Sequence, residues 1–155
     1  MISKRNEGYE ARFKRHFAHQ VEEVWSYLVE NDKLRQWFPE LQVADLREGE
    51  VIRFHMGDDR FEEMNILSFA SRSVLEYTWG EDRVRFELTP EPGGSRLLLV
   101  ESLGKLTDHT PRDLAGWHVC LEVIKALLEG RPVEGRRSQW EERYRDYSQL
   151  VNDIR

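Results

Sequence analysis

The reactive side chains of this chain crowd into one stretch, Gly116 to Gly130, GWHVCLEVIKALLEG. It holds the only cysteine, Cys120, two residues from His118 and three from Trp117. A thiol beside an imidazole suggests nucleophilic catalysis, which requires the two groups within hydrogen-bond reach. The stretch reads as helix, and at about 100° per residue His118 and Cys120 point about 200° apart. No Cys–His pair can form along it. His118 shares a polar stripe with Glu122, Lys125 and Glu129, whereas Cys120 shares an apolar face with Trp117, Ile124 and Leu127. Cys120 is therefore expected to be a buried, inert thiol, its pKa raised by apolar surroundings. His118 is expected to face solvent and pair with Glu122, so that His118→Ala changes stability by no more than about 0.5 kcal/mol. Trp117, with Leu121, Ile124 and Leu128, is expected to be buried against a sheet.

The other candidates for chemistry are sparse. The five histidines are His16, His19, His55, His109 and His118. None forms an HxxxH pair or joins a cysteine cluster, so neither a metal nor another cofactor is expected. The glycines of PEPGGS lead into a strand, which makes them a hairpin turn, since a phosphate cradle needs a helix behind it. The acids Glu62, Glu63, Glu76, Glu87 and Glu101 are spread over strands and are expected to be solvated. An inward-facing one could act as a base, with Arg53 and His55 as companion polar groups. Arg131, Arg136 and Arg137 stand among Glu134, Glu141 and Glu142 and read as a solvated face. More conspicuous is the aromatic bulk: Trp25, Trp37, Trp79, Trp117 and Trp140 beside Phe54, Tyr77 and Phe86. These either fill a core or line an apolar pocket.

Local periodicity supplies the elements that would position them. YEARFKRHF alternates Tyr9, Ala11, Phe13 and Phe17 against charged residues, the pattern of a half-buried strand. Val21, Val24, Trp25 and Leu28 form the stripe of a short helix. A second short helix, capped by Asn31, runs through Trp37 to a stop at Pro39. From Leu41 to Leu103 strands and turns alternate. Thr110, Pro111 and Asp113 mark the start of a long helix as N-cap, first helical residue and capping-box acid; Gly130 and Pro132 end it. About 19 residues at 1.5 Å each span roughly 28 Å, enough to cross a small sheet. Ser138 and Glu141 look like a capping box opening a terminal helix. The expected fold is α+β. A curved antiparallel sheet of about six to seven strands grips a long C-terminal helix, with two short helices after the first strand and an extra terminal helix. Residues 1–155 are read as one domain, with a core over about 9–130 and a helical extension over about 138–154.

The chain has 155 residues, 34% of them charged, and a formal net charge of -6. This balance argues against duplex nucleic acid as a partner, because clustered Lys and Arg carry that binding. A single cysteine suits a reducing compartment. MISKRNEGYE lacks the apolar core of a signal peptide, and no apolar run nears the roughly 20 residues of a membrane span. A soluble, cytoplasmic protein is expected. Its oligomeric state is left open.

The segments VEEVWSYLVENDKLRQWF, LEYTWG and GWHVCLEVIKALLEG resemble, in the same order, the family related to the C-terminal domain of the activator of heat-shock protein 90 ATPase. That family belongs to the START-like, or SRPBCC, superfamily, and the resemblance covers about Tyr9 to Tyr147. Within the family this chain looks like a stand-alone, bacterial-type member. The resemblance implies a helix-grip fold with a cavity between sheet and long helix. It places Trp25 and Trp37 in the first helical region, Trp79 on the central strand, and Gly116, Trp117 and Leu121 at the start of the lid helix. The superfamily holds carriers, cyclases and a chaperone activator, so fold alone does not choose a function. Three functions follow as expectations. The first is non-enzymatic binding of a small apolar or aromatic molecule in a cavity lined by Trp37, Phe54, Tyr77, Trp79, Phe86, Trp117, Cys120, Leu121 and Ile124. The second is a module that binds a chaperone or stress-related protein. The third is a cyclase- or hydrolase-type enzyme.

Overall fold

A computed structural model describes residues 1–155. Its elements in chain order are β1 (Ile2–Lys4), β2 (Tyr9–Phe17), α1 (Val21–Val29), α2 (Asn31–Trp37), β3 (Leu41–Val43), β4 (Val51–Gly57), β5 (Arg60–Ala70), β6 (Val74–Trp79), β7 (Asp82–Glu91), β8 (Gly94–Leu103), α3 (Thr110–Leu128) and α4 (Arg136–Ile154). The eight strands form one antiparallel sheet in the order β1-β2-β8-β7-β6-β5-β4-β3. From β3 to β8 the chain is a meander of neighbours, and β2 returns to pair with β8 over nine residues, Tyr9 opposite Leu103 and Phe17 opposite Ser95. This is a helix-grip, α+β architecture, and the sheet carries one strand more than expected. The addition is β1, where Ile2 faces Ala11 and the amide of Arg12 donates to the Met1 carbonyl at 2.7 Å. Three residues are too few to show a period, so this edge strand has no sequence signal.

The alternation of β2 holds: Ala11, Phe13 and Phe17 are buried while Arg12 and Lys14 are exposed. The apolar side of the sheet closes on α3, whose Trp117, Leu121, Ile124 and Leu128 are at most 9% exposed. Yet α3 is buried on its other side too, since Val119, Val123 and Ala126 are also covered. The second cover is α4, which packs along α3 and brings Tyr147 and Val151 into the same core. A helix between two layers is apolar nearly all round rather than amphipathic.

That second cover corrects the expectation for His118. It is half-buried, and its Nδ1 lies 2.7 Å from the Tyr147 hydroxyl of α4. Its ring meets Phe13 and Tyr147 edge-on, with centroids 6.4 and 5.8 Å apart. Burial, reinforced by the Arg143 and Arg15 charges, pushes its pKa down to about 4. Glu122 looks instead toward Arg15, at 3.9 Å.

The capping residues also take other partners. Asn31 lies inside α2, and its amide brackets Val43, donating to the carbonyl and accepting from the amide at 2.8 Å each. It serves as an edge partner for β3. Thr110 lies within α3, its hydroxyl accepting from the Thr107 amide at 2.9 Å. Ser138 lies within α4, which starts after Gly135 in the left-handed region at φ 62°.

A candidate binding groove

Beside the N-terminal half of α3 the sheet and helix do not meet flush. Trp79 ends β6, Phe54 stands on β4, Phe38 follows α2, and Trp117 projects from α3. The four rings form a cluster. Trp79 and Trp117 have centroids 5.0 Å apart, Phe38 lies 5.8 Å from each tryptophan, and Phe54 lies 5.9 Å from both Phe38 and Trp79. On this cluster opens a solvent-connected groove of about 710 Å³. Gly116, Val119 and Cys120 of α3 complete its wall, Pro39 and Glu40 border it, and α4 contributes Arg136, Arg137 and Trp140. A second hollow of about 860 Å³ lies on the other side of Phe54, Trp79, His109 and Asp113, toward the β6–β7 turn and the loop after β8.

Gly116 is a notable wall residue. A glycine inside a helix costs about 0.5–1 kcal/mol relative to alanine. A Cβ built here meets nothing within 4 Å. Packing therefore does not exclude a side chain at this position, and its absence leaves the groove wider.

Of the nine residues expected to line a cavity, Phe54, Trp79, Trp117 and Cys120 border the groove. Trp37, Tyr77, Phe86, Leu121 and Ile124 lie in the packed layer behind them, each no more than 3% exposed. The Trp37 indole donates to the Tyr27 carbonyl at 2.7 Å. Tyr77 and Phe86 stack with centroids 6.1 Å apart. Rings thus fill most of the space between sheet and helix, and the opening lies at its edge. Sequence reasoning did not place Phe38, Asp113, Arg112 or Arg136 at a cavity, and it counted Trp140 only in the general aromatic inventory. Arg136 was read as part of a solvated face because the fold of α4 back over α3 leaves no mark in local periodicity.

The polar groups follow equally physical lines. Asp113 does not cap its helix; its Oδ1 accepts the Trp79 indole N–H at 2.9 Å, fixing that ring across the groove. Glu101, paired across the sheet with Ala11 and Val84, is fully buried instead of solvated. Neither of its oxygens meets a donor. Burial holds its pKa well above the ordinary carboxylate range, and the negative charges of Asp113 and Asp82 raise it further. The protonated form of Glu101 is thus favoured at this site, which is sealed from solvent. Arg53 and His55 are on the exposed side of β4 around Phe61, with centroid distances of 5.7 and 4.8 Å. They cannot join Glu101 in one site. Burial pushes the Cys120 thiol up to about 12. The Arg136 Nη2 donates to the Trp37 carbonyl at 2.8 Å and lies 3.7 Å from the Cys120 sulfur. No group of three or more His, Cys, Asp or Glu is placed to hold a metal ion. No helix is long and apolar enough to cross a membrane.

Comparison with known proteins agrees with this architecture. The family described as Activator of Hsp90 ATPase homolog 1-like protein matches residues 18–129. Among solved structures, the conserved protein of unknown function EF2215 from Enterococcus faecalis is 25% identical, with a TM-score of 0.89 over 100% of this chain and 91% of that one. CalU16 from Micromonospora echinospora is 21% identical, with a TM-score of 0.72 over 97% and 94%. The protein encoded by gene BPP1335 of Bordetella parapertussis is 22% identical, with a TM-score of 0.75 over 90% and 85%. No curated relative matches the chain.

Proposed function

The chain belongs to the Activator of Hsp90 ATPase homolog 1-like family, and from that premise and the groove geometry we propose that it binds a small apolar or aromatic molecule without transforming it. The observation that carries this reading is the aromatic groove of about 710 Å³ beside Gly116, a helical glycine with open space where a side chain would go. Small-molecule sites are typically concave, mostly apolar, and about 300–1,000 Å³ in volume. Binding without turnover is favoured because the reactive groups are disarmed: Cys120 is held as a thiol, and His118 is committed to Tyr147 on the far side of α3. We place the protein in the cytoplasm and treat residues 1–155 as one domain, with α4 as an extension that completes the groove rim.

Tryptophan fluorescence tests the reading, since Trp79 and Trp117 lie on the groove. Titration with a panel of flat aromatic and long-chain apolar molecules should give saturable changes. Gly116→Leu, which fills the open space, should weaken binding at least tenfold without lowering the melting temperature. Flat titrations across the panel, or unchanged binding in Gly116→Leu, would refute it.

A second reading, a protein-interaction module for a chaperone or stress-related partner, has its own observation. Met56 and Phe61 are 50% and 45% exposed around the β4–β5 hairpin. Phe61→Ser should abolish association with a purified chaperone if this reading holds, and leave small-molecule binding untouched.

A further inference from the structure

Resting on the groove reading above, we propose that the groove selects organic anions: a flat apolar body carrying a carboxylate, sulfonate or similar acid group held by Arg112 and Arg136. The chain as a whole is acidic, at -6, yet the groove is bordered by Arg112, Arg136 and Arg137 against only Glu40 and Asp113. Most arginines here are tied to acids, and Arg137 is one, bound to Glu141 at 3.1 Å. Arg112 and Arg136 form no ion pair, although acids border the same groove. The guanidinium of Arg112 lies over the Tyr144 ring, 5.2 Å from its centroid. Stacking of this kind uses the flat face of a guanidinium and leaves its fork of N–H donors at the edge. Arg136 is held across the groove floor by the Trp37 carbonyl at 2.8 Å, which occupies one of its terminal nitrogens. Both cations are thus fixed by neutral partners beside an aromatic wall.

Asp113 spends Oδ1 on the Trp79 indole, and Glu40 is exposed at the rim. The Trp117 indole N–H is buried behind the groove wall and has no acceptor. A ligand that brings acceptors suits the two arginines, and a pure hydrocarbon does not.

A matched pair of fluorescent probes tests the anion requirement. 1-Anilinonaphthalene-8-sulfonate and N-phenyl-1-naphthylamine share one ring system, and only the first carries a sulfonate. The sulfonate should bind at least tenfold more tightly, since a hydrogen bond to a charged group contributes about 1.5–3 kcal/mol and about 1.4 kcal/mol is tenfold. Arg112→Gln with Arg136→Gln should erase that preference and change the neutral probe by less than about twofold, within the usual reach of surface substitutions. Should the double variant misfold, salt gives the same answer on the unaltered protein: sulfonate affinity should fall from low to high ionic strength while the neutral probe is unaffected. Equal affinity of the two probes, or equal loss of both in the arginine variant, overturns the anion inference alone. If neither probe binds, or if Gly116→Leu blocks neither, the groove reading falls and the inference falls with it.

Discussion

Glu101 is the residue whose environment departs most from its sequence pattern. It alternates on β8 like any strand carboxylate, but the register places it between Ala11 and Val84, under α3 and beside Asp113. Its folded pKa lies above its unfolded one, so the folded state holds the proton to higher pH. Stability attributable to Glu101 is then greatest in acid and falls as pH rises through the interval between the two values. Glu101→Gln keeps the shape, cannot ionise, and presents an amide donor to Asp113. The variant should gain stability over the unaltered protein as pH climbs from about 4.5, by at most about 1.4 kcal/mol per pH unit. Urea melts at several pH values read this as a difference, in which the other titrating groups cancel; a difference that is flat with pH refutes a buried, protonated Glu101. His118 has the opposite sign. Its pKa falls from 6.5 to about 4, so the unfolded chain takes up the proton first, and stability drops as pH falls through that window. At neutral pH the ring is hydrogen-bonded and packed, so His118→Ala should cost about 1–2 kcal/mol. A melt within 0.5 kcal/mol of the unaltered protein would return His118 to the solvent-facing role its stripe suggests.

Elements were legible where a period runs long enough to repeat. The two short helices, six of the eight strands and both long helices can be read from it, and the three-residue β3 was expected from the Pro39 and Gly49 that bracket it. What escaped was decided by partners distant in sequence. Asn31 and Asp113 both have side chains suited to capping, but the first is recruited by Val43 and the second by Trp79. The hydrophobic face of α3 was evident, and the cover over its opposite face was not, because that cover depends on the return of α4. The turns, by contrast, carried their own signal. In the β7–β8 hairpin Gly94 has φ 153°, and a Cβ there would lie 2.0 Å from the Phe17 carbonyl and 2.8 Å from the His19 amide. Both obstacles are backbone, so the end of β2 must move to admit a methyl group. Gly94→Ala should therefore destabilise by about 1–3 kcal/mol, as overpacking does. Gly116→Ala, in open space on a helix, should stabilise by about 0.5–1 kcal/mol. Thermal melts of the pair should move in opposite directions; a shift of the same sign would mean that the close approach at Gly94 is absent.

At the scale of the molecule, sheet, long helix and groove meet at Trp117. Its ring lies 5.0 Å from Trp79 and 5.8 Å from both Phe38 and Phe86, measured between centroids, and it is 2% exposed. The aromatic inventory was visible in the sequence. Whether it filled the core or left it open was not, because curvature of the sheet decides how far the rings sit from α3. The rings largely fill the interior and leave the opening at the edge, where Trp117 is both core and wall. Truncating a well-packed aromatic removes its transfer free energy and leaves a void, a cost of about 3–5 kcal/mol. Only the groove edge of Trp117 faces open space, and three rings would lose contact with it. Trp117→Ala should therefore fall within that range rather than below it, a large share of a small domain's stability. The void would connect with the groove, so the folded variant should accept a bulkier apolar ligand than the unaltered protein does. Leu121→Ala, one turn along in the packed layer, should lose about 2–5 kcal/mol without changing ligand size preference. Urea melts combined with a titration series of graded ligand size separate the two: a Trp117→Ala cost below 3 kcal/mol, or identical ligand profiles for both variants, would detach Trp117 from the groove.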